Sequence, residues 1–394
     1  MKPRQLSLFG FTAAAAILAG LDLAGWIRVF QRPFDTDFAD YYLRARVGLD
    51  QGWGMLYDVA AERREWLALP GFHWYPALIP PPQAWLAVPF TVFPVPVAYL
   101  LWSLLLAALL LLTWWLLAPG AGLEKAYQLV WALGLFPVVF ALMLGQGVIP
   151  VAASVAIAWW LLRRNHQVAG GLALVVMAVK PQLAFLEPFA LLAAGYRRAF
   201  LSFAAAGAVV ALLALAPLGP GGIAAYAATV YGAAGGTAVP QPFMVPRNLT
   251  ITGLVGGGVA AAVFQVGFAV LALAVAYHRR GVEVPIAAGL VGSLLVTPYI
   301  HVQDLAMLVV AGWLGQRAGQ TRGECLLLVV GYLAVELAPS SVGGAPLIAV
   351  ELAWLGSMLR RAASTATEPR TVAATPAKAA NEAEPRKASS ILAR

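Results

Sequence analysis

The sequence is short of nearly everything a water-soluble surface needs. Charged residues make up 11% of its 394, against roughly 25% in a soluble domain. Lysine is scarcest: between Lys2 and the C-terminal segment only Lys125 and Lys180 occur. A single cysteine, Cys325, excludes an internal disulfide framework. The four histidines, His73, His166, His278 and His301, have no metal-ligand spacing. No zinc-type motif, phosphate-binding glycine loop or nucleophile elbow occurs, so no metal site and no cofactor is expected. There is no basic stripe interleaved with aromatics, and nucleic acid is not an expected partner despite the formal charge of +8.

What is there is apolar. Hydrophobic residues reach 61% and the mean hydropathy is +0.78. No soluble core buries that much, so the solvent is a bilayer. The N-terminal run to Phe30 begins like a signal peptide but is too long for one, and is read as a retained first transmembrane helix. Apolar runs follow at 95–117, 126–143, 147–162, 167–179, 182–196, 199–217, 254–277, 284–299, 303–316, 325–338 and 346–359. Together they predict an all-α polytopic membrane protein of about 12 transmembrane helices, several of them short and therefore kinked or shallow.

The proline-bounded segment 80–94 could cross or lie at the interface. Positive charge decides. With a cytoplasmic N-terminus and 80–94 uncrossed, Lys125 and the pairs Arg163–Arg164, Arg197–Arg198, Arg279–Arg280, Arg317/Arg322 and Arg360–Arg361 all fall on the cytoplasmic side. Residues 1–361 then form the membrane domain, with a first outer loop at 31–94. The Ala-, Pro-, Thr- and Ser-rich stretch 362–394 is expected to be a disordered cytoplasmic tail.

That topology gathers every polar cluster near a membrane end on the outer side: the loop 31–80, "LGQG" (144–147), "VKPQ" (179–182), "VPRNLT" (245–250) and "TPYIHVQD" (297–304). Polar groups are expensive in a membrane and are functional candidates by default. Lys180 lies deep in apolar sequence beside the helix-breaking Pro181. It either snorkels, pairs with a carboxylate such as Glu187, or binds an anionic headgroup such as a phosphate. His301 and Asp304 follow a second break at Thr297-Pro298. "GPGG" and "GGG" read as loop and packing signals, and the sequon at Asn248 carries little information.

The first outer loop concentrates acid. Five of the seven aspartates, Asp35, Asp37, Asp40, Asp50 and Asp58, lie within 32–58. Residues 37–49 read as an amphipathic juxtamembrane helix with Phe38, Tyr41, Tyr42 and Ala45 able to face lipid, and a second such helix is expected at 58–68. Asp35 or Thr36 suits an N-cap, and Asp35 and Asp40 read as solvating or capping groups. A carboxylate at the membrane exit can also serve as a general base.

The ordered set "DFADYYLRARVGLDQGWGMLYD", "YPALIPPP", "LGQG", "KPQ" and "TPYIHVQDL" resembles the GT-C integral membrane glycosyltransferases, specifically glycosyltransferase family 87. Named members of that family include polyprenol-phosphate-mannose-dependent mannosyltransferases. Asp37, Tyr41, Gly52, Leu56 and Tyr57 match the family's first-loop motif, and the likeness covers about residues 30–310. The resemblance implies a GT-C-like fold and transfer of a sugar, mannose or another hexose or pentose, from a polyprenyl-phosphate donor. The acceptor is a hydroxyl of a glycolipid or glycan on the outer (periplasmic or extracellular) face of a bacterial cytoplasmic membrane, and the reaction inverts. By carry-over Asp37 is the general base. Lys180, with Gln146, Gln182, Arg247 and His301, would balance the donor phosphate, and Tyr41, Tyr42, Tyr75 and Asp304 would touch substrate. A secondary transporter or flippase of a lipid-linked or anionic solute is the alternative, since it also uses broken helices and intramembrane charge; a non-catalytic lipid-binding scaffold is a third reading.

The topology is testable with single cysteines at Asp50 and Arg280 in a background lacking Cys325. A membrane-impermeant maleimide is expected to label the first from outside and the second only after lysis; labelling of both from one side would overturn the scheme.

Overall fold

In the computed structural model, residues 3–67, 78–234, 249–279, 281–340 and 342–367 are described, and among them every regular element is helical. Among the described residues the first helix is α1 (Pro3–Val29) and the last is α18 (Ala345–Thr367), which carries helix a few residues past the tail boundary expected at 362. Tyr75, His73, Arg247 and residues 368–394 lie outside the described residues.

Four helices have the length and composition to cross a bilayer. They are the Phe9–Val29 stretch of α1, α5 (Val95–Leu117), α11 (Arg197–Leu215) and α14 (Val259–His278). At 1.5 Å per residue each spans about 30 Å. A fifth span arises if α6 (Gly122–Leu133) and α7 (Phe136–Leu144) are joined across their 67° bend. Gly134 sits at that bend, where a Cβ would come within 2.6 Å of the Ala15 carbonyl of α1, and Pro137 opens α7. Length and composition do not confirm the expected count of about 12, because other apolar runs form short or broken helices: α8 (Val148–Arg163), α9 (Gln167–Leu174), α10 (Glu187–Ala193), α15 (Glu283–Val296), α16 (Met307–Arg317) and α17 (Arg322–Leu337). Large apolar side chains such as Leu21, Leu104, Leu212 and Val263 are more than half exposed, a surface suited to lipid and not to water.

The segment 80–94 does not form a span. Its helix α4 (Pro81–Ala87) has 7 residues and passes into a 3-10 turn at Val88–Phe90, too short to cross. Two further helices fall where loops were expected. The "GPGG" stretch opens α12 (Gly219–Ala234), and α13 (Ile251–Val255) precedes α14.

The bundle has two chemically different ends. From the turn at Gln146, α8 runs to Arg163; α15 returns from Glu283 to Thr297; from Asp304, α16 runs to Arg317. Arg163 pairs with Glu283 at 2.9 Å, Arg361 with Glu324 at 2.8 Å, and Arg317 donates to the Leu117 carbonyl at 2.6 Å. The basic pairs therefore collect at one end and the breaks at Gln146, Lys180 and Asp304 at the other.

The first loop is built into the second end. After Thr36, which is extended (φ −113°, ψ 153°), α2 (Asp37–Asp50) begins with Asp37 and Asp40 in its first turn, favourable at a helix N-terminus. The Thr36 hydroxyl does not cap the helix; it donates back to the Pro33 carbonyl at 2.7 Å. Phe38, Tyr41, Tyr42 and Ala45 do not face lipid: all are at most 3% exposed and belong to the main core, and Phe38 stacks on Trp102 with ring centroids 5.4 Å apart. The opposite side of α2, with Ala39, Leu43 and Val47, is covered through Ala61 by α3 (Val59–Leu67). A helix buried on both sides replaces the surface helix because loop residues 53–67 fold back over it.

Asp40 is not a solvated or capping group. It pairs at 2.9 Å with the fully buried Arg44, which also holds Glu62 of α3 at 2.7 Å. Burial pushes the Asp40 carboxyl up to about 6 against the opposing pull of Arg44. The remaining loop aspartates have ordinary duties: Asp58 accepts the Ala61 N–H at 2.7 Å at the start of α3, Asp50 pairs with Arg46 at the surface, and Asp35 is exposed.

Breaking a buried pair by removing one partner costs about 3–5 kcal/mol. Arg44→Leu strands two buried carboxylates and is expected to lower Tm sharply, while Asp40→Asn is milder. Because the folded Asp40 carboxyl sits above its unfolded value, its contribution is full below about pH 4 and is lost as pH rises to about 6. Asp40→Asn should remove that part of the pH dependence of Tm; an identical pH profile in the variant would contradict the assignment.

Candidate active site

The turn "LGQG" is fixed by its glycines and by the ring beneath it. Gly145 takes φ +70° to end α7, and a Cβ there would lie 2.7 Å from the Phe38 Cβ, so α2 approaches the turn closely only because Gly145 has no side chain. The Gly145 carbonyl accepts from Trp102 Nε1 at 2.8 Å and the Gln146 N–H closes on Ala141 at 2.8 Å. Gln146 is thereby presented at the tip, 4% exposed.

Lys180 reaches the same place from the other side. The 3-10 turn Val175–Val179 that follows α9 ends at Lys180 (φ −147°, ψ 71°), and Pro181 starts a second short turn. The third arm comes from the break at Thr297-Pro298, where α15 ends and the 3-10 turn Val302–Ala306 carries Asp304.

These breaks meet in one chain of hydrogen bonds. Lys180 Nζ is ion-paired to Asp304 Oδ1 and donates to Gln146 Oε1 at 2.8 Å. Gln146 Nε2 donates to Asp37 Oδ2, and Asp304 Oδ2 accepts the His301 N–H at 3.0 Å. An ammonium can only donate, so it fixes the Gln146 amide with oxygen toward Lys180 and nitrogen toward Asp37. Asp37 is thus addressed as an acceptor. Lys180 has three N–H donors, one on Asp304 and one on Gln146, which leaves a third. Asp304 is fully buried, Lys180 8% exposed and Asp37 half-buried, so the network opens on the Asp37 side.

Tyr41 lies against it, near Asp37, Asp40 and Asp304, with the Gly147 amide beside its hydroxyl. Burial first, then those carboxylates, raise the phenol well above its ordinary value, so it stays neutral. The Tyr42 hydroxyl instead donates to the Phe93 carbonyl at 2.9 Å and holds the segment after α4. Gln182 stands in the turn after Lys180, half-buried. The partner of Lys180 is Asp304 and not Glu187, which lies on α10 against Gly289 of α15.

Two further side chains border the site. Gln83 of α4 is 3% exposed, and its Nε2 is 3.2 Å from where a Cβ on Gly147 would stand. Its only sequence signal is being the lone polar residue among prolines and apolar neighbours. Tyr299, with its ring 5.9 Å from that of His301, faces Asp304 and Tyr226 of α12, and burial pushes its phenol up to about 12. Tyr226 stacks on Tyr57 at 4.5 Å and so ties α12 to the first loop. Among the described residues no group of three or more His, Cys, Asp or Glu side chains converges as a metal set would.

The model of glycosyltransferase family 87 matches residues 78–298, more than half of the chain. The chain belongs to this family, and it is a membrane glycosyltransferase. Gln146 and Lys180 fall within the matched stretch, while Asp37, His301 and Asp304 lie outside it. No curated protein and no solved structure matches the chain.

Lys180→Met leaves Asp304 as a lone buried carboxylate, at an expected cost of about 3–5 kcal/mol. Asp304→Asn added to it should recover most of the lost Tm, since the two side chains form one unit. Independent, additive losses would show that the pair is not coupled.

Proposed function

We propose that this enzyme moves a sugar from a polyprenyl monophosphate to a hydroxyl of a glycolipid or glycan, on the outer face of a bacterial cytoplasmic membrane, in one inverting displacement. The observation that carries the reading is the single network holding the Asp37 carboxylate and the Lys180 ammonium at the end of the bundle away from the basic pairs. By the positive-inside rule the basic end faces the cytoplasm, which turns Asp37 outward.

Asp37 accepts the proton of the acceptor hydroxyl as its oxygen attacks the anomeric carbon. The carbon–oxygen bond to the phosphate breaks as the new one forms, and that electron pair leaves on the phosphate. The ion pair with Asp304 offsets the Lys180 charge, so the remaining Lys180 N–H alone does not balance the phosphate. Arg247 and His301 are assigned the rest of that work, with Gln182 as a further donor. Gln146 aims Asp37, and Tyr41, neutral at working pH, offers a hydroxyl to the sugar.

A positioned general base contributes about 10²–10⁴-fold. In proteoliposomes supplied with a polyprenyl-phosphate sugar and a glycolipid acceptor, Asp37→Asn is expected to lose transfer by that factor while keeping expression and donor binding. Asp35→Asn should stay near wild type. A near-normal rate for Asp37→Asn would remove the base from this position.

A further inference from the structure

Apart from this network, α1, α6, α15, α16, α17 and α18 line an open cleft of about 860 Å³, within the range of small-molecule sites. Its α17 wall runs from Cys325 to Val335, about 15 Å at 1.5 Å per residue. Leucine, valine and aromatic side chains make up most of the lining. The polar groups gather toward the basic end of the bundle, where Gln128 donates to Gln316 and accepts from Trp313, both at 3.0 Å.

Four polar atoms of the lining have no partner: Tyr332 Oη, further along α17, and, beside that satisfied group, Glu351 Oε1, Trp354 Nε1 and Gln320 Nε2. Glu351 is 7% and Trp354 5% exposed. They share one turn of α18, and Trp354 and Gln320 both pack at Gly315. A buried polar atom without a partner is costly, and three around one slot suit the polar head of a ligand. The set offers an acceptor and two N–H donors, so the ligand head must both donate and accept. A hydroxyl does both, whereas an ammonium cannot accept. No lysine or arginine lines the slot, so nothing there offsets the charge of a phosphate, which separates this cavity from any donor site.

We propose that this slot binds a neutral long-chain lipid with a hydroxyl head, the hydroxyl meeting Glu351, Trp354 and Gln320 and the chain lying along α17. The inference is independent of the sugar-transfer reading, because its residues and its test involve neither Asp37 nor Lys180.

Cys325, the sole cysteine, is exposed and lines the slot beside Gln320, so it serves as a built-in reporter. The rate of its alkylation by a maleimide is measured on the purified full chain in detergent, with a long-chain isoprenoid alcohol or with the monophosphate of the same chain. At free alcohol about ten times its Kd the rate should fall about tenfold, and the phosphate should leave it nearly unchanged. Glu351→Leu and Trp354→Phe remove atoms that have no partner, so both variants are expected to fold, with Tm unchanged or raised, and to lose the protection. Leu328→Trp, which fills the slot, should abolish the effect of the alcohol. No slowing by the alcohol, equal slowing by the phosphate, or protection that survives in Glu351→Leu and Trp354→Phe would each overturn the proposal.

Discussion

Removing one partner of a buried ion pair leaves an uncompensated charge, and the pair Lys180–Asp304 is the contact on which the candidate site depends. Each partner sits at a break made by proline, Pro181 on one side and Pro298 on the other. Joining them locks the turn after α9 to the turn after α15. Gln146 adds the turn between α7 and α8, and Asp37 adds the first loop. Four interruptions of regular helix, each leaving backbone groups that a membrane does not solvate, are thus gathered where side chains and each other satisfy them. The rest of the bundle can then be apolar.

The acid of the first loop is divided by burial. Asp40, with Arg44 and Glu62, staples α3 to α2 from within. Asp58 and Asp50 act on the loop's own backbone and surface. Asp37 alone turns toward the break residues, because it occupies the first turn of α2 where Gly145 lets the "LGQG" turn come close. A one-residue shift along α2 would rotate it by 100° and lose Gln146.

Membership of glycosyltransferase family 87 and this geometry bear on the same chemistry from different directions. The family match covers Gln146 and Lys180 but stops short of Asp37 and Asp304, and it is the folded chain that joins the two sets. The ion pair also changes what Lys180 does. Its charge is already offset, and it anchors Gln146 as a hydrogen-bond donor.

The membrane class, the helical class and the uncrossed segment 80–94 were legible in the sequence, because hydropathy, proline spacing and the basic pairs are local properties that need no partner. The candidate residues were legible for the same reason: Lys180 and Asp304 stand out as rare charges in apolar sequence. What the sequence could not show was pairing. Glu187 is seven residues from Lys180, whereas Asp304 is far along the chain, and only the meeting of two proline breaks in space selects it. Nor could it show that Phe38, Tyr41 and Tyr42 face protein, since an apolar side chain looks the same whether lipid or a neighbouring helix covers it. The number of spans is not settled by composition for the same reason: short apolar runs buried against one another have the composition of membrane helices.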